Sequence, residues 1–324
     1  MSVTEKPLLQ SDLPPPPDGR TGWPWQGYCR AMPPTTGDGK LWPKLVIVTP
    51  SFNQGAYLEA AIRSVLLQGY PNLTYVVMDG GSTDESVDIL EKYDRWITRW
   101  VSEADGGQYA AIAKGFASGG GEIMSWLNSD DMYCPNALHV AGSVFSDLPD
   151  VTWLTSGVQV TWDVEGTWAS TGHSAGYTQR GFFAGRNLGL TGRAAALQPV
   201  IQQESTFWRC SLWDAAGGHL DATLNLAGDF ELWARFWAHA ALATVNVPLG
   251  GFRRQPEQKT SDPDAYQREA RDVLTRHGGR FRGNMSHLLT ATLGCWRKSP
   301  ANLRTRVRYD LEQKRWIKVE RYVA

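Results

Sequence analysis

Asn128-Ser129-Asp130-Asp131 directly follows the apolar run Ile123-Met124-Ser125-Trp126-Leu127. Residues two apart on a strand share a side. Asn128 and Asp130 are therefore expected to face one crevice, offering an amide oxygen and a carboxylate. Hard oxygen donors of this kind suit Mg²⁺ or Mn²⁺ held jointly with a ligand's phosphates, with Asp131 as a neighbouring acid. An Asx turn capping the helix after Pro135 explains the same residues without any ligand. Three further polar loops share the strand-to-helix setting. Asp79-Gly80-Gly81-Ser82-Thr83-Asp84 puts an acid at a strand end, where such acids hold ribose hydroxyls or a base edge. Pro50-Ser51-Phe52-Asn53-Gln54-Gly55 leads into a helix. Ser102-Glu103-Ala104-Asp105-Gly106-Gly107-Gln108 offers Asp105 and glycine amides. None of these loops is a GxGxxG or a GK[ST], so neither a dinucleotide fingerprint nor a P-loop is supported.

The elements that must position these loops follow from periodicity. Short apolar runs at 45–48, 75–78, 98–102 and 122–127 read as strands. Helical stripes at 56–68, 84–94 and 108–118 alternate with them, and Pro135 opens another helix. This alternation predicts an α/β fold with a mostly parallel sheet covered on both faces. Its ligands bind beyond the carboxyl ends of the strands. Further on, 151–162 reads as strand, and 163–198 as a glycine-rich functional loop. Residues 211–217 and 229–240 read as helix and 242–247 as strand. From 263 onward the text reads as helical and basic. Half of the 18 prolines fall in residues 1–43, which reads as an extended arm pinned by Trp23, Trp25 and Tyr28.

Taken together, the four loops resemble those of glycosyltransferase family 2, enzymes of the GT-A fold. The matching text is VTPSFNQGAYLEAAIRSVLLQGYPNLTYVVMDGGSTDESVDIL, SEADGGQYAAIAKGF and GEIMSWLNSDDMYCPNAL. The resemblance covers roughly 44–255, divided into a nucleotide-sugar half (44–150) and an acceptor and base half (151–255). Residues 256–324 read as a basic helical extension. The resemblance implies inverting transfer from a nucleotide-sugar, with a UDP-sugar as the commonest donor, to a hydroxyl acceptor in surface polysaccharide or glycoconjugate synthesis. It places nucleotide contacts on Pro50, Ser51, Asn53, Asp79, Gly80, Ser82, Asp105, Gly107, Asn128 and Ser129. The family's Asp-x-Asp metal motif falls on Asn128-Ser129-Asp130, so an amide replaces its first acid. The family's base pattern [ED]-D-x-x-L-W falls on Gly228-Asp229-Phe230-Glu231-Leu232-Trp233, making Asp229 the base, with glycine in place of the preceding acid. A helix start is expected to stabilise the Asp229 carboxylate and weaken it as a base. Gln203, Glu204, Trp208, Arg253 and Arg254 are candidates for the sugar, acceptor or diphosphate side, with Trp162, Trp168, Gln258, Lys259 and Thr260 beside them.

Composition sets the outer limits. With 32 Lys+Arg against 33 Asp+Glu, a globally basic nucleic-acid binder is excluded. Four well-separated cysteines form no CxxC pair, against a zinc ribbon or disulfide scaffold. No stretch reaches the roughly 20 apolar residues that span a bilayer. A cytoplasmic protein, at most peripheral on a membrane, is expected. The charge balance is uneven, however. Residues 276–324 carry 12 Lys+Arg and 3 Asp+Glu, leaving 20 against 30 in the rest. This basic end either docks on the acidic body or touches anionic lipid, which would suit a lipid-linked acceptor. Competing readings are a nucleotidyltransferase-like enzyme and an inactive nucleotide-sugar binding protein.

Overall fold

The computed structural model describes residues 10–26, 29, 32–188, 200–256, 258, 259, 262–280 and 299–323. Among these, nine strands form a central sheet. In chain order they are β1 (Leu45–Ser51), β2 (Leu73–Asp79), β3 (Arg99–Ser102), β4 (Ile123–Trp126), β6 (Trp153–Ser156), β9 (Phe207–Arg209), β10 (Ala243–Val245), β12 (Leu303–Asp310) and β13 (Arg315–Tyr322). The spatial order is β13-β12-β10-β6-β9-β4-β1-β2-β3. All neighbours pair in parallel except those of β9 and the β12–β13 hairpin. A smaller sheet, β5-β11-β7-β8, joins β5 (Met132–Tyr133), β7 (Val158–Trp162), β8 (Trp168–His173) and β11 (Gly250–Arg253).

The sheet is covered on both faces, as the near-continuous apolar strands require. One core joins β1 and β2 to α1 (Gly55–Leu66), α2 (Ser86–Tyr93) and α4 (Ala137–Asp147). The other joins the sheet to α3 (Gln108–Gly119), α5 (Gln179–Phe183), α6 (Cys210–Ala215), α7 (Gly228–Phe236) and α8 (Pro263–Arg276). Tryptophans dominate this second core. Trp126, Trp153, Trp208 and Trp233 are fully buried, and their rings meet edge-on, tilted or stacked at 5.5–6.1 Å.

The arm is docked. Trp23 Nε1 donates to the Tyr133 carbonyl, and the buried Arg63 of α1 donates to the carbonyls of Pro14 and Pro24. Its guanidinium also lies over the Trp25 ring. Tyr28 falls outside the described residues.

The structure changes several expected elements. β1 runs through Pro50 to Ser51 instead of stopping at Thr49. The Ser51 carbonyl points to the β2 side, so Pro50 aims its missing N–H toward β4, which has already ended at Trp126. Part of the expected 163–198 loop is ordered as β8 and α5, while 189–199 lie outside the described residues. The helical tail is corrected: α8 ends at Arg276, and residues 303–322 form the β12–β13 hairpin. Its alternation, Leu303-Arg304-Thr305-Arg306-Val307-Arg308, has the period of two that marks a strand.

Candidate active site

The ends of β2 and β3 are tied to one another by Asp79. Its Oδ2 accepts from the Gly81 and Ser82 N–H groups at 3.2 and 2.9 Å and from Ser102 Oγ at 2.7 Å. Its Oδ1 accepts from Ser82 Oγ at 2.5 Å. Asp79 thus shapes the glycine loop from beneath. Asn53, in the left-handed region at φ 51°, donates its N–H to Ser82 Oγ and accepts from the Thr83 N–H. Asp84 receives the Gly55 N–H at the start of α1. Phe52 stands out of this loop, 60% exposed. Its ring edge and Asp105 Oδ2 both lie against Gly80. Asp105 in turn accepts the Gly107 N–H. Phe52, Gly80 and Asp105 therefore line one notch offering a flat apolar face and a carboxylate.

After β4 the chain turns into an acid cluster. Asn128 accepts from Gln108 Nε2 at 2.8 Å and donates to Asp131 Oδ2 at 3.2 Å and Gln203 Oε1 at 3.4 Å. Gln203 is anchored by its donation to the Trp126 carbonyl. Lys259 reaches Gln108 Oε1 at 3.3 Å. Asp131 is buried, with Oδ1 taken by the Arg253 N–H. Arg253 itself is buried on β11, donating Nε to the Asp130 carbonyl and Nη1 to that of Val164. Asp130 Oδ2 accepts from Gln255 at 3.2 Å. Glu204, in the 3-10 turn Gln203–Ser205, is buried with Oε1 unpartnered.

Burial pushes Glu204 up to about 8, helped by the charges of Asp229 and Asp130. Asp130 is raised by burial, and Asp131 well above the usual carboxylate range by burial and by the charges of Asp130 and Glu204. These acids share one poorly solvated region, so they resist full ionisation together.

Asp229 sits in the first turn of α7, with Oδ1 buried and unpartnered. Two residues from other helices prepare this helix start. Glu269 of α8 accepts the N–H groups of Asn225, Leu226 and Ala227 at 2.9, 2.6 and 2.6 Å. Tyr109 Oη of α3 accepts the Gly228 N–H at 2.9 Å. Several donors at the helix end are therefore already used. Burial raises Asp229 to about 7, with Glu269's charge adding to it and the Phe230 N–H opposing. The expectation of a carboxylate weakened as a base by its helix end is thereby corrected. Gly228 has a steric cause too. A Cβ there would come within 2.5 Å of the Tyr109 ring.

Residues 46–192 match the family model described as Glycosyl transferase family 2. Over this stretch the chain is similar to glycosyltransferase family 2. An uncharacterized glycosyltransferase of Nostoc sp. is 32% identical over 105 residues, 32% of this chain and 33% of that protein. One from Mycobacterium tuberculosis is 35% identical over 92 residues, 28% of this chain and 35% of that protein. The chain thus spans about a third of the length of these curated relatives. Among solved structures, S. aureus TarS 1-349 in complex with UDP-GlcNAc superposes with TM-score 0.56 at 15% identity, covering 77% of this chain and 71% of that one. The longer TarS structure gives 0.54 at 15% identity, covering 77% of this chain and 42% of that chain. The fold is GT-A.

Within this glycosyltransferase fold, the residues singled out from sequence divide clearly. Asn128, Asp130, Asp131, Gln203, Glu204 and Asp229 are linked by hydrogen bonds or by their charges. Pro50, Ser51, Asn53, Asp79, Gly80, Ser82, Asp105 and Gly107 build the neighbouring strand-end loops, with Ser51 Oγ buried and unpartnered. Ser129 is buried in the turn between Asn128 and Asp130. Trp208 is corrected: it lies wholly in the tryptophan core. Arg253 is a buried strut of the Asp130–Asp131 turn, with Nη2 buried and unpartnered. Arg254 is exposed and Thr260 lies outside the described residues. Trp162 is buried, while Trp168 is 45% exposed and meets it edge-on at 5.4 Å. Phe52, Tyr109 and Glu269 were not singled out from sequence. Exposure of a large aromatic inside a polar loop was the available signal for Phe52; the other two act across the fold.

Proposed function

We propose that this protein is an inverting glycosyltransferase that moves a sugar from a nucleoside diphosphate donor to a hydroxyl acceptor, with Asp229 as general base. The observation that carries this reading is Asp229 itself. It has an unpartnered buried carboxylate oxygen and a proton affinity raised to about 7, within reach of the charge of Glu204 in the acid cluster. A base works best when its pKa lies near the working pH. Asp229 takes the proton from the acceptor hydroxyl as that oxygen attacks the anomeric carbon, and the nucleoside diphosphate leaves from the opposite face. The fixed acid turn and strand-end loops supply orientation. Phe52 offers its exposed ring to the base, and Asp105 a carboxylate to the ribose. The UDP-GlcNAc complex of TarS supports a UDP-sugar as the first donor to try.

The residues present fit a divalent cation, Mg²⁺ or Mn²⁺. Buried acids with unpartnered oxygens accumulate there, and Asp130 Oδ2 holds only a long bond to Gln255. Among the described residues, no three ligand-type side chains converge on one point. A cation there would therefore share its coordination with donor phosphates, with Asp130 as the protein's acid. When bound, it supplies charge stabilisation to the departing diphosphate. Among the described residues, no helix is long and apolar enough to cross a membrane. A lipid-linked acceptor and a cytoplasmic, membrane-peripheral location are parts of the same proposal.

The test is nucleotide release from UDP-, GDP- and dTDP-sugars, with and without Mn²⁺, for wild type and Asp229→Asn. Release that depends on Asp229 supports the enzyme reading. Donor binding without any release supports the inactive binding protein. Pyrophosphate released from a nucleoside triphosphate supports a nucleotidyltransferase.

A further inference from the structure

A second polar site lies at the far side of the central sheet, away from the acid cluster in sequence and sharing no residue with it. Thr244 on β10 is 2% exposed, and its hydroxyl has no partner. It pairs in register with Arg306 of the adjacent parallel strand β12, so the two share a sheet face. Arg304, two residues earlier, shares that face, and its Nε is buried without a partner. Both groups gather under Gly176. A Cβ there would lie 3.0 Å from Arg304 Cγ and 3.3 Å from Thr244 Oγ1, and its φ of +107° also favours glycine.

The charges around this notch are of one sign. Arg321 is directly opposite Arg304 in the hairpin, and like charges so placed repel. Arg186 and Arg306 lie near enough that their charges, after burial, disfavour the Arg304 cation. On this face of the hairpin the only acid is Asp310, which meets Arg308 at 3.8 Å. Among the described residues Arg186, Arg304, Arg306 and Arg321 form no ion pair. A buried hydroxyl and a buried guanidinium N–H, both unsatisfied and surrounded by cations, are costly unless an anion meets them.

We propose that Thr244 and Arg304, flanked by Arg186, Arg306 and Arg321, form a binding site for a phosphate-type oxyanion, separate from the donor site. The guanidinium supplies forked donors matched to phosphate oxygens, and Thr244 supplies the O–H. The phosphate belongs either to a lipid headgroup at a membrane surface or to a soluble phosphorylated molecule.

The probe is inorganic phosphate, titrated into the full chain at constant ionic strength while the arginine Nε–H resonances are followed. The Arg304 signal is assigned by its loss in Arg304→Gln. A saturable shift of that signal is expected. Arg306→Gln and the near-isosteric Thr244→Val should each weaken phosphate by about tenfold, as loss of a charge-assisted bond predicts. Arg99→Gln, on the opposite sheet edge, should leave it unchanged. A linear drift without saturation, or an equal loss in Arg99→Gln, overturns the site. Sedimentation with phosphatidylglycerol-containing vesicles separates the sources. Capture that falls in Arg306→Gln identifies a lipid headgroup, and saturable phosphate binding without vesicle capture identifies a soluble ligand.

Discussion

Glu269 Oε2 holds the backbone N–H of Ala227 at 2.6 Å, two residues before Asp229. An acid on α8 thus takes donors that would otherwise draw charge from the acid on α7, and its own charge raises Asp229 further. The groups facing Asp229 are Glu269 and Tyr266 from α8, Tyr109 from α3 and Glu204 from the turn before β9. Glu269→Gln keeps one acceptor oxygen for the loop but removes a negative charge. The Asp229 carboxyl should become more acidic, and the acidic limb of the kcat/KM pH profile should move to lower pH. An unmoved limb would show that Glu269 only holds the loop.

Replacing the proposed base, Asp229, separates binding from chemistry. Asp229→Asn keeps the shape of the helix start but cannot take a proton. Turnover should fall by about 10²–10⁴-fold, the range for loss of a general base. Donor affinity by calorimetry should stay close to wild type. Because Asp229 is raised to about 7, wild-type activity should climb through that pH as the carboxylate forms. Near-normal turnover in Asp229→Asn would remove the assignment.

Buried acids also set a pH dependence of stability. Glu204 at about 8 and Asp229 at about 7 both lie above their unfolded values. Between roughly pH 4 and pH 8 the native state therefore binds more protons than the unfolded state. Stability contributed by the neutral acids is complete below this window and is lost as the pH rises through it. Glu204→Gln should raise the melting temperature much more at pH 8 than at pH 5, with a difference on the order of 1–3 kcal/mol. Mn²⁺ with UDP should reproduce part of that gain in wild type, since a ligand bound by the native state stabilises it. A variant less stable than wild type at pH 8 would mean that Glu204 is neutral through a hydrogen bond it needs.

The sheet and the acid turn were readable because their signals are local. Four strand-helix alternations predict where loops gather, and Asn128 to Asp131 are contiguous. The helix start at Gly228 and Asp229 was readable because its pattern is also local. Glu269 and Tyr109 were not, because they act across 42 and 119 positions on the helix start. The burial of Arg253 was not readable for a related reason, since it rests on contacts with the Asp130–Asp131 turn, 122 and 123 positions away. The tail misled because its charge obscured a period-two pattern. Burial of Val307 and Trp316 on one side shows which period controls its structure.

Gly228 stands where the family pattern places an acid, and Tyr109 explains why. The ring fills the volume a side chain would need, and its hydroxyl satisfies the Gly228 N–H. Gly228→Ala should be destabilised by about 1–3 kcal/mol, the usual cost of overpacking. Tyr109→Phe leaves the ring but orphans a buried N–H, costing about 1–3 kcal/mol. Tyr109→Ala opens space for Cβ at residue 228, so Gly228→Ala should cost much less in that background. A double-mutant cycle by urea unfolding measures this coupling. Independent, additive effects would mean that the glycine answers to something other than the tyrosine.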